Sequence, residues 1–446
     1  MKHILLLGAG RSSVYLIDYL VAQAPSQNWH VTIADLQTAH LPARGLPSTF
    51  LSYLNLDIQE QAQLNSQVQK ADVVISLLPA IFHLPVAKAC LAIKRHFLTA
   101  SYVTPEIQAM HEAAKEHGLL FLMEMGLDPG IDHLSAKATI DRIREQGGQL
   151  FSFKSYTGGL VAPESDTNPW HYKISWNPRN VVLAGKGTAT YLYNHTPKYI
   201  PYSQLFRRTE QINVIDLGEL EGYANRDSLA YQKAYGLENI PTLIRGTLRW
   251  PGFCAAWHQL IKLGLTDDSY RLPDSENITY TQWLESYLPD NQLKKQDTID
   301  RLAHYLKLPG NSRELEAIRY LGLLESEKIK LKKATPAQIL EQRLVQRLAL
   351  QPTDQDLVVM QHEFEYGFNN QKKRLKSALV LTGQDATYTA MAQTVGMPLA
   401  FAAELLLTNE INLSGVHIPV LPELYRPLLA RLEKIGIQFT EQEENF

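Results

Sequence analysis

The first strand, turn and helix of this chain constrain its fold more than any other feature. An apolar strand, Ile4–Leu7, leads directly into a glycine-containing turn, Gly8–Ser13, and then into a helical pattern over Val14–Val21. A second apolar strand, Val31–Ala34, ends on Asp35. This order predicts the first half of a βαβ nucleotide-binding unit, in which the helix N-terminus binds a pyrophosphate and the strand-end carboxylate binds a ribose.

The glycine turn supports this interpretation but departs from the full fingerprint. Gly8 allows a tight turn and Gly10 lets the backbone approach a pyrophosphate, whereas Ser13 stands where a third glycine is usual. A glycine turn without a chemical role, and Asp35 as an ordinary turn residue, are the alternatives. Dinucleotide binding is favoured because both strands, the helix and the terminal acid occur in the expected order. The contacts expected from this segment are Gly8, Gly10, Arg11, Ser12, Ser13 and Asp35.

Apolar strands and amphipathic helices alternate to about residue 126, which indicates a parallel sheet buried on both faces. Ligands bind such sheets outside the carboxyl ends of the strands, so the residues that follow each strand are the first candidates for a site. The predicted strands are Thr49–Leu56, Ala71–Leu78, His96–Ala100 and Leu119–Met125, and the predicted helices are Leu84–Arg95 and Pro105–His117. The segments at the ligand edge are Asp57, Leu77–Pro79, Ser101–Tyr102 and Gly126–Gly130.

Composition argues against several classes of protein. The 446 residues are enough for two or three domains, and a net charge of −3 provides no basic surface for nucleic acid. The chain begins with a strand instead of a signal peptide, and no apolar run approaches the ~18 residues of a membrane span. The cysteines Cys90 and Cys254 suggest neither a disulfide framework nor a metal site, so we expect a cytoplasmic protein without metal.

The pattern changes after Gly130. A helix is predicted over Ile131–Glu145 and a strand over Leu150–Tyr156, and residues 157–256 carry short strand-like runs that indicate an antiparallel or mixed sheet. Residues 265–350 are charged and mostly helical. The remaining predicted elements are the helices Thr298–Leu306, Ser312–Gly322, Pro336–Leu350, Met391–Glu410 and Pro422–Ile435 and the strand Asp356–Tyr366.

The sequence thus predicts an α/β fold with an N-terminal Rossmann dinucleotide-binding domain, a second α+β mixed-sheet domain and a helical insertion. The Rossmann domain is expected at residues 1–128, with the helices of about 388–446 packing back on it. The α+β domain, for substrate binding and dimerisation, is expected to combine residues 129–264 with about 353–387. The insertion is expected at residues 265–352.

A set of short motifs occurs along the chain in a characteristic order and spacing. They are Ile75–Pro79, Ala100–Tyr102, Gly126–His133, Gly158–Glu164, Tyr172–Trp176, Asn225–Ser228 and Arg245–Arg249. Together they resemble the saccharopine dehydrogenase family of the L-glutamate-forming type, also called saccharopine reductase. The resemblance runs from residue 1 to about 260 and resumes at Val358–Glu363, Gly396 and Pro422–Glu423, whereas residues 265–350 match far less.

The resemblance implies an NAD(P)-dependent oxidation of a secondary amine. Hydride leaves the ε-carbon of the lysine half of saccharopine, and water hydrolyses the resulting imine to L-glutamate and 2-aminoadipate 6-semialdehyde. A base must first remove a proton from the secondary ammonium, because a protonated nitrogen has no lone pair to donate. The three carboxylates of saccharopine need cationic or N–H partners, most naturally arginine.

Residues in the matching motifs can fill these roles. Asp128 is the candidate catalytic base, with a helix N-cap as the alternative, and Tyr102 is the candidate proton relay, with packing as the alternative. For the arginines of these motifs, the alternative to carboxylate binding is an isolated surface position. For Lys173, the alternative to ligand binding is a solvated side chain. The expected substrate contacts are Ser101, Tyr102, Asp128, Thr157, Arg226, Arg245, Thr247, Leu248 and Arg249. The further expected cofactor contacts are Asp57, Ser76, Leu77, Leu78, Leu127, Pro129, Lys173, Ser175 and Asn177.

Two departures from the family pattern affect the chemistry. Fungal members carry a cysteine where this chain has Thr157, and a threonine hydroxyl does not ionise near neutral pH. Either that position only binds substrate, or a different residue handles the proton. NADP-using members carry an arginine just past the second strand, where this chain has Asp35, and a carboxylate there repels a 2′-phosphate. NAD is therefore the predicted cofactor and lysine breakdown the favoured direction, with Arg44 the nearby cation that would favour NADP.

Two other functions fit parts of the sequence. A related oxidoreductase acting on a carboxyspermidine-type amine would need acids in place of Arg226, Arg245 and Arg249. A non-catalytic nucleotide-sensing protein would keep the glycine turn but not the later motifs. The arginines and motifs favour an enzyme that binds saccharopine, L-glutamate and 2-aminoadipate semialdehyde, expected as a homodimer without nucleic-acid or membrane partners.

Overall fold

The structure is a computed structural model that describes residues 1–39, 41, 49–289 and 297–446. Arg44 lies outside these residues. The strands are β1 Lys2–Leu7, β2 Trp29–Asp35, β3 Leu51–Asn55, β4 Val73–Ser76, β5 His96–Thr99, β6 Leu120–Leu122, β7 Gln149–Val161, β8 Ala189–Tyr193, β9 Thr196–Ile200, β10 Thr209–Val214, β11 Gly218–Ala224, β12 Thr242–Arg249, β13 Asp356–Phe368, β14 Gln371–Thr382, β15 Gly415–His417 and β16 Thr440–Asn445.

The α-helices vary from single turns to 18 residues. They are α1 Val14–Gln27, α2 Gln61–Lys70, α3 His83–Ile93, α4 Pro105–Gln108, α5 His111–Glu116, α6 Ile131–Glu145, α7 Pro178–Val182, α8 Tyr202–Leu205, α9 Gln232–Tyr235, α10 Phe253–Lys262, α11 Tyr280–Glu285, α12 Thr298–Leu306, α13 Arg313–Tyr320, α14 Pro336–Arg347, α15 Ala390–Leu407 and α16 Pro422–Lys434. Short 3₁₀ turns occur at Arg11–Ser13, Ala80–Phe82, Pro163–Ser165, Leu229–Tyr231 and Ser275–Asn277.

The chain divides into two units. The first combines residues 1–149 with 387–439, and the second combines residues 150–386 with 440–446. The first unit extends past the predicted boundary at residue 128 because α6 packs against α16 within it. The chain passes from one unit to the other after α6, before α15 and again before β16.

The first unit is built on a seven-stranded parallel sheet in the order β15-β6-β5-β4-β1-β2-β3. The residues of Ile4–Leu7 in β1 are fully buried, as expected for an apolar strand covered on both faces. The strand order reverses between β1 and β4, and the carboxyl ends of strands at such a reversal form the crevice where ligands bind. The predicted Rossmann fold is confirmed.

Helix α15 lies in the core of this unit. By length and composition alone it could cross a membrane, with 18 residues and a mean hydropathy of 1.4. The expectation that no segment approaches a membrane span was therefore wrong. In the structure 83% of the helix is buried, and it packs along α1. A buried core helix meets the same criteria of length and composition as a membrane span.

The second unit contains a nine-stranded mixed sheet with the main order β10-β11-β12-β7-β13-β14-β16, and β8 pairs with both β12 and β9. Strand β12 is parallel to β7 and antiparallel to β11. Because successive side chains of a strand point to opposite faces, Ile244 and Leu248 enter an apolar core on one face, whereas Arg245, Thr247 and Arg249 share the other. The predicted mixed sheet is confirmed.

The predicted insertion, residues 265–352, contains the helices α11 to α14. Their apolar side chains join one core with Trp170, Tyr172 and Phe253, which come from other parts of the second unit. Tyr223 of β11 belongs to the same core, which therefore extends from these helices to the sheet. The insertion is helical as predicted, but it shares its core with the rest of the unit.

Candidate active site

The glycine turn after β1 fits a dinucleotide. Gly8 has a φ of +94°, and a Cβ there would lie 3.0 Å from the carbonyl carbon of Leu77, so only glycine is accommodated without strain. A Cβ on exposed Gly10 would meet no atom within 4 Å, so the space beside its backbone is open. Helix α1 has no side-chain cap from Ser13, which suits a helix N-terminus that binds an anion. These features match the predicted pyrophosphate cradle.

Asp35 ends β2 beside this turn. Its Oδ2 accepts a hydrogen bond of 2.7 Å from the Ala9 N–H, which fixes the carboxylate against the turn. Within the part of the chain that the structure describes, no donor bonds to Oδ1. Asp35 therefore combines the turn role considered above with an oriented carboxylate oxygen that can accept from ribose hydroxyls.

Ser13 takes the place of the third glycine by turning its side chain back onto the turn. Its buried Oγ donates to the Gly10 carbonyl at 2.7 Å. A close approach of backbones is found instead at Gly396 of α15, where a Cβ would lie 3.2 Å from the Leu16 Cβ. The glycine of α15 thus permits tight packing against α1, next to the cofactor turn.

The remaining predicted cofactor residues of the first unit lie at strand ends. Asp57 follows β3, and its Oδ1 accepts from the Gln59 N–H at 2.9 Å, which is a local turn contact. Since β3 is the outermost strand of the sheet, Asp57 is also farther from the crevice than Asp35. Arg11 and Ser12 lie in the glycine turn, Ser76, Leu77 and Leu78 lie at the end of β4, and Leu127 and Pro129 precede α6.

The segment after β5 is held by a buried histidine that sequence reasoning missed. The Nε2 of His83 lies 2.6 Å from Ser101 Oγ, and its Nδ1 lies 3.0 Å from Ser76 Oγ. Burial lowers the pKa of His83 to about 4, so the ring is neutral near neutral pH. His83 begins α3, and only the fold brings it between the ends of β4 and β5.

Tyr102 follows Ser101 and is partly buried. The next residue, Val103, donates its N–H to Oε1 of Glu124 at 3.0 Å, and Glu124 is buried at 1% exposure. Sequence reasoning also missed Glu124, because no local pattern distinguishes it from an acid after a strand. The residues on either side of Tyr102 are therefore hydrogen-bonded to two buried residues, His83 and Glu124.

Asp128 lies in the turn before α6 and is partly buried. The helix begins at Ile131 with Gly130 as its N-cap residue, so Asp128 does not cap it. Instead, the Asp132 carboxylate accepts from the Gly130 N–H at 2.6 Å. The capping alternative was wrong because Pro129 and Gly130 separate Asp128 from the helix. Asp128 stays the candidate base, at the carboxyl edge of the sheet.

In the second unit, one face of the sheet gathers four of the predicted substrate residues. The register pairs Thr157 of β7 with Thr247 of β12, and Ser155 with Arg245. Paired residues on neighbouring strands share a face, and alternate residues of one strand do as well. Thr157, Arg245, Thr247 and Arg249 therefore lie on the same face.

Arg249 is incompletely satisfied on this face. The residue is 4% exposed, and its guanidinium lies 5.4 Å from the ring centroid of Tyr172 and 5.2 Å from that of Phe253. Nη1 donates to the Leu248 carbonyl at 2.9 Å, but the buried Nε has no hydrogen-bond partner, and no described residue forms an ion pair with this arginine. Thr157 Oγ1 is also buried without a partner among the described residues. A buried cation without a counter-charge is costly, which indicates a site for an anionic ligand.

The other predicted substrate residues differ in exposure. Arg245 is buried, with its guanidinium 4.3 Å from the ring centroid of Tyr231. Arg226 is exposed in the turn after β11, with a φ of +51°. The Leu248 side chain lies in the apolar core on the opposite face of the sheet. Because side chains alternate along β12, the Leu248 side chain points away from Arg245, Thr247 and Arg249, and its predicted substrate contact stays a prediction.

The predicted cofactor residues of the second unit have mostly structural contacts. The Nζ of Lys173 lies 2.6 Å from Asp354 Oδ2 in a buried ion pair, so the solvated alternative for Lys173 was wrong and its ammonium is already partnered. Asn177 caps α7 through two backbone N–H groups. Ser175 Oγ is buried, and no described residue hydrogen-bonds to it.

Comparisons with known proteins agree with this geometry. Two family profiles match the chain, the saccharopine dehydrogenase NADP binding domain over residues 4–122 and the saccharopine dehydrogenase C-terminal domain over residues 126–437. The mitochondrial alpha-aminoadipic semialdehyde synthase of Bos taurus is 35% identical over 451 residues, which cover 99% of this chain but only 48% of the synthase. The chain thus spans about half the length of that relative.

Full-length relatives are also known. The saccharopine dehydrogenase [NADP(+), L-glutamate-forming] of Saccharomyces cerevisiae is 33% identical over 447 residues, covering 99% of both chains. The solved apo structure of the histidine-tagged L-Glu-forming enzyme from the same yeast superposes over 100% of both chains with a TM-score of 0.88 and 32% identity. This chain belongs to the saccharopine dehydrogenase family.

Proposed function

We propose that this protein oxidises saccharopine, with NAD(P)⁺ and water, to L-glutamate and 2-aminoadipate 6-semialdehyde. The observation that carries the proposal is the buried guanidinium of Arg249, which has no ion-pair partner among the described residues. A guanidinium binds a carboxylate through two parallel hydrogen bonds, and saccharopine has three carboxylates. The similarity over 99% of the chain to a relative named for this reaction supports the same substrate.

Residues of each unit have a proposed role of their own. In the first, the glycine turn and Asp35 bind the dinucleotide, whose nicotinamide accepts the hydride. Asp128 takes the proton of the secondary ammonium and releases it to solvent. It then takes a proton of the water that adds to the imine and gives that proton to the departing nitrogen. Tyr102 hydrogen-bonds the substrate. In the second unit, Arg245 and Arg249 are the cationic partners for carboxylates of the substrate.

The test is turnover of saccharopine by the purified protein. Saccharopine and a dinucleotide should give reduced nicotinamide and L-glutamate in equal amounts. A carboxyspermidine-type amine should react at least about 100-fold more slowly, because the face around Arg249 presents cations where a polyamine needs acids. Turnover of the polyamine alone would overturn the proposal. Dinucleotide binding without turnover of either amine would favour the non-catalytic nucleotide-sensing alternative.

We further propose that the protein prefers NAD to NADP. The Ala9 N–H orients the Asp35 carboxylate, which accepts from ribose hydroxyls and repels a 2′-phosphate. The matching family profile and the yeast relative carry NADP in their names, so cofactor choice is a specific point on which this chain would differ from them.

The cofactor proposal is tested with Asp35→Asn, which keeps an oxygen to accept from Ala9 but removes the charge. The ratio of kcat/KM for NAD over NADP should exceed ten in the parent, about 1.4 kcal/mol, and should fall towards one in the variant. Asp57→Asn is the matched control, because it also changes an acid at a strand end. A parent that favours NADP tenfold would overturn the preference.

A homodimeric assembly and a cytoplasmic location are also proposed. The buried free thiols of Cys90 and Cys254 are compatible with a reducing compartment. Sedimentation of the purified protein would test the assembly, and fractionation of cells that express it would test the location.

A further inference from the structure

The segment that carries Tyr102 is fixed by hydrogen bonds on both sides. Before it, Ser101 Oγ lies 2.6 Å from the buried ring of His83. After it, the Val103 N–H donates to Glu124 Oε1 at 3.0 Å. The Ser101 carbonyl also accepts from the Glu124 N–H at 3.0 Å. Glu124 therefore contacts the residues on either side of Tyr102, once through its backbone and once through its side chain.

The backbone and burial of Glu124 are unusual for a glutamate. Its φ is +59°, a backbone conformation that residues other than glycine, asparagine and aspartate rarely adopt. The residue is 1% exposed. A structural acid is normally exposed to water, whereas this one is desolvated and conformationally strained next to a ligand-binding edge. Strain that is kept beside a candidate site, and hydrogen bonds directed at one short segment, suggest a positioning role.

Two further buried residues hold the Glu124 carboxylate. The Nε2 of His133 lies 2.8 Å from Glu124 Oε2, and His133 is fully buried on the first turns of α6. The Nδ1 of the same ring lies 3.7 Å from Asp132 Oδ2, within charge-pairing range but beyond hydrogen-bond distance. Asp132 in turn accepts from the Gly130 N–H at the start of α6. The carboxylate of Glu124 is thereby linked to the turn that contains Asp128.

We propose that Glu124, held by His133, is a positioning residue that fixes Tyr102 for the reaction and ties its segment to the turn that carries Asp128. Glu124 acts through these two candidate residues and does not itself contact substrate. The expected effect of Glu124 on kcat rests on the proposed oxidation. The expected effect on the hydrogen bond to Val103 does not depend on that proposal. A misplacement of a reacting group by about 1 Å can cost on the order of 100-fold in rate.

The kinetic test compares Glu124→Gly with Glu124→Gln. Glycine tolerates the positive φ and removes the carboxylate, so kcat for saccharopine should fall by about 10- to 100-fold with little change in KM for the dinucleotide. Glutamine keeps an oxygen that can accept from the Val103 N–H, so kcat should stay within about threefold of the parent. Equal losses in the two variants, or no loss in Glu124→Gly, would overturn the proposal.

A double variant separates positioning from general destabilisation. If Glu124 acts in part through Tyr102, Glu124→Gly should lower kcat by a smaller factor in the Tyr102→Phe background than in the parent. Additive losses would show that Glu124 does not work through this tyrosine. If Glu124→Gly does not fold, Glu124→Asn serves instead, since asparagine tolerates positive φ but is one methylene too short to reach Val103.

Amide exchange supplies a readout that needs no turnover. In Glu124→Gly the Val103 amide should exchange at least about tenfold faster than in the parent and in Glu124→Gln. The Ile107 amide, held by Thr104 Oγ1 at 3.3 Å, should not change and is the internal control. Unchanged Val103 exchange would overturn the positioning role even if the protein proved inactive on saccharopine. An inactive parent with the expected exchange would instead overturn only the proposed function.

Discussion

Two arginines are buried to a similar extent in the second unit, but their surroundings differ. Arg249, on the sheet face, is 4% exposed, and no described residue forms an ion pair with it. Arg343, on α14, is 2% exposed and forms ion pairs with Glu325 and Glu327. Its guanidinium also donates to the Gly322 carbonyl at 2.9 Å. Among the described residues, two carboxylates pair with Arg343 and none pairs with Arg249.

This difference separates a stabilising arginine from a ligand-binding one. A buried cation with partners within the chain contributes to folding, and removing it leaves those partners unsatisfied. A buried cation without such partners destabilises the folded state until an anion binds. The arginine that costs stability is therefore the better candidate for function, and both halves of this comparison can be tested.

The largest expected effect is that of Arg249→Met, which keeps an apolar side chain of similar length. Removing the partner of a desolvated carboxylate should lower kcat/KM for saccharopine by about 10²–10³-fold, roughly 3–4 kcal/mol. The free energy of unfolding should be unchanged or higher, because replacing a buried charge by an apolar group is often neutral or stabilising. Steady-state kinetics and urea unfolding measure the two quantities. A variant that lost stability but kept activity would reverse the assignment.

Arg343→Met is the matched change at the arginine that forms ion pairs within the chain. The free energy of unfolding should fall by about 2–3 kcal/mol as the hydrogen bonds to two carboxylates and a carbonyl are lost. The loss should stay below that of a fully buried pair, since Glu325 and Glu327 are 42% and 41% exposed and water can solvate them. Kinetic constants for saccharopine should stay within about twofold of the parent. A selective loss of activity here would break the comparison.

His83 extends the comparison to a buried group that stays uncharged. Burial lowers its pKa from 6.5 to about 4, so the unfolded chain binds a proton before the folded protein does. The stability that depends on neutral His83 is fully present above pH 6.5 and is lost as the pH falls towards 4, by on the order of 2 kcal/mol at pH 4.5. Urea unfolding between pH 7 and pH 4.5 should therefore show a steeper loss in the parent than in His83→Gln. Equal slopes would mean that His83 is not the group that titrates.

The smallest effect is expected from Thr157→Val, which removes the second unpartnered group on the face of Arg249. Valine has nearly the same shape, so the free energy of unfolding should rise by up to about 1 kcal/mol as a buried, unsatisfied hydroxyl is lost. The KM for saccharopine should rise by about two- to fivefold. Thermal unfolding and steady-state kinetics would measure these changes. A lower stability would show that the hydroxyl has a partner in the folded protein.

Local patterns predicted much of the fold. The helices α6 and α12 begin and end at the predicted residues Ile131–Glu145 and Thr298–Leu306, because apolar periodicity and flanking turn residues define both. The predicted helix Pro105–His117 is instead divided into α4 and α5 by a turn at residues 109–110. Apolar periodicity continues through that turn, so the interruption could not be read from it.

The candidate site was predictable where it depends on strand ends and alternation, and not where it depends on distant partners. The glycine turn, Asp35 and the shared face of Arg245 and Arg249 follow from rules that apply along one or two strands. The contact of Lys173 with Asp354 joins residues 181 positions apart, and no local pattern marks it. The roles of His83 and Glu124 likewise require knowledge of which strand ends lie side by side.

The passage of the chain between the two units has a consequence for synthesis on the ribosome. Strand β15 completes the first sheet beside β6, and α15 covers α1, yet both belong to residues 387–439. Residues 1–149 therefore emerge with apolar surface that remains uncovered while residues 150–386 are being made. The second sheet in turn receives its edge strand β16 only from residues 440–446. During translation the first unit therefore cannot be completed before residues 387–439 are made, and the second sheet cannot be completed before residues 440–446 are made.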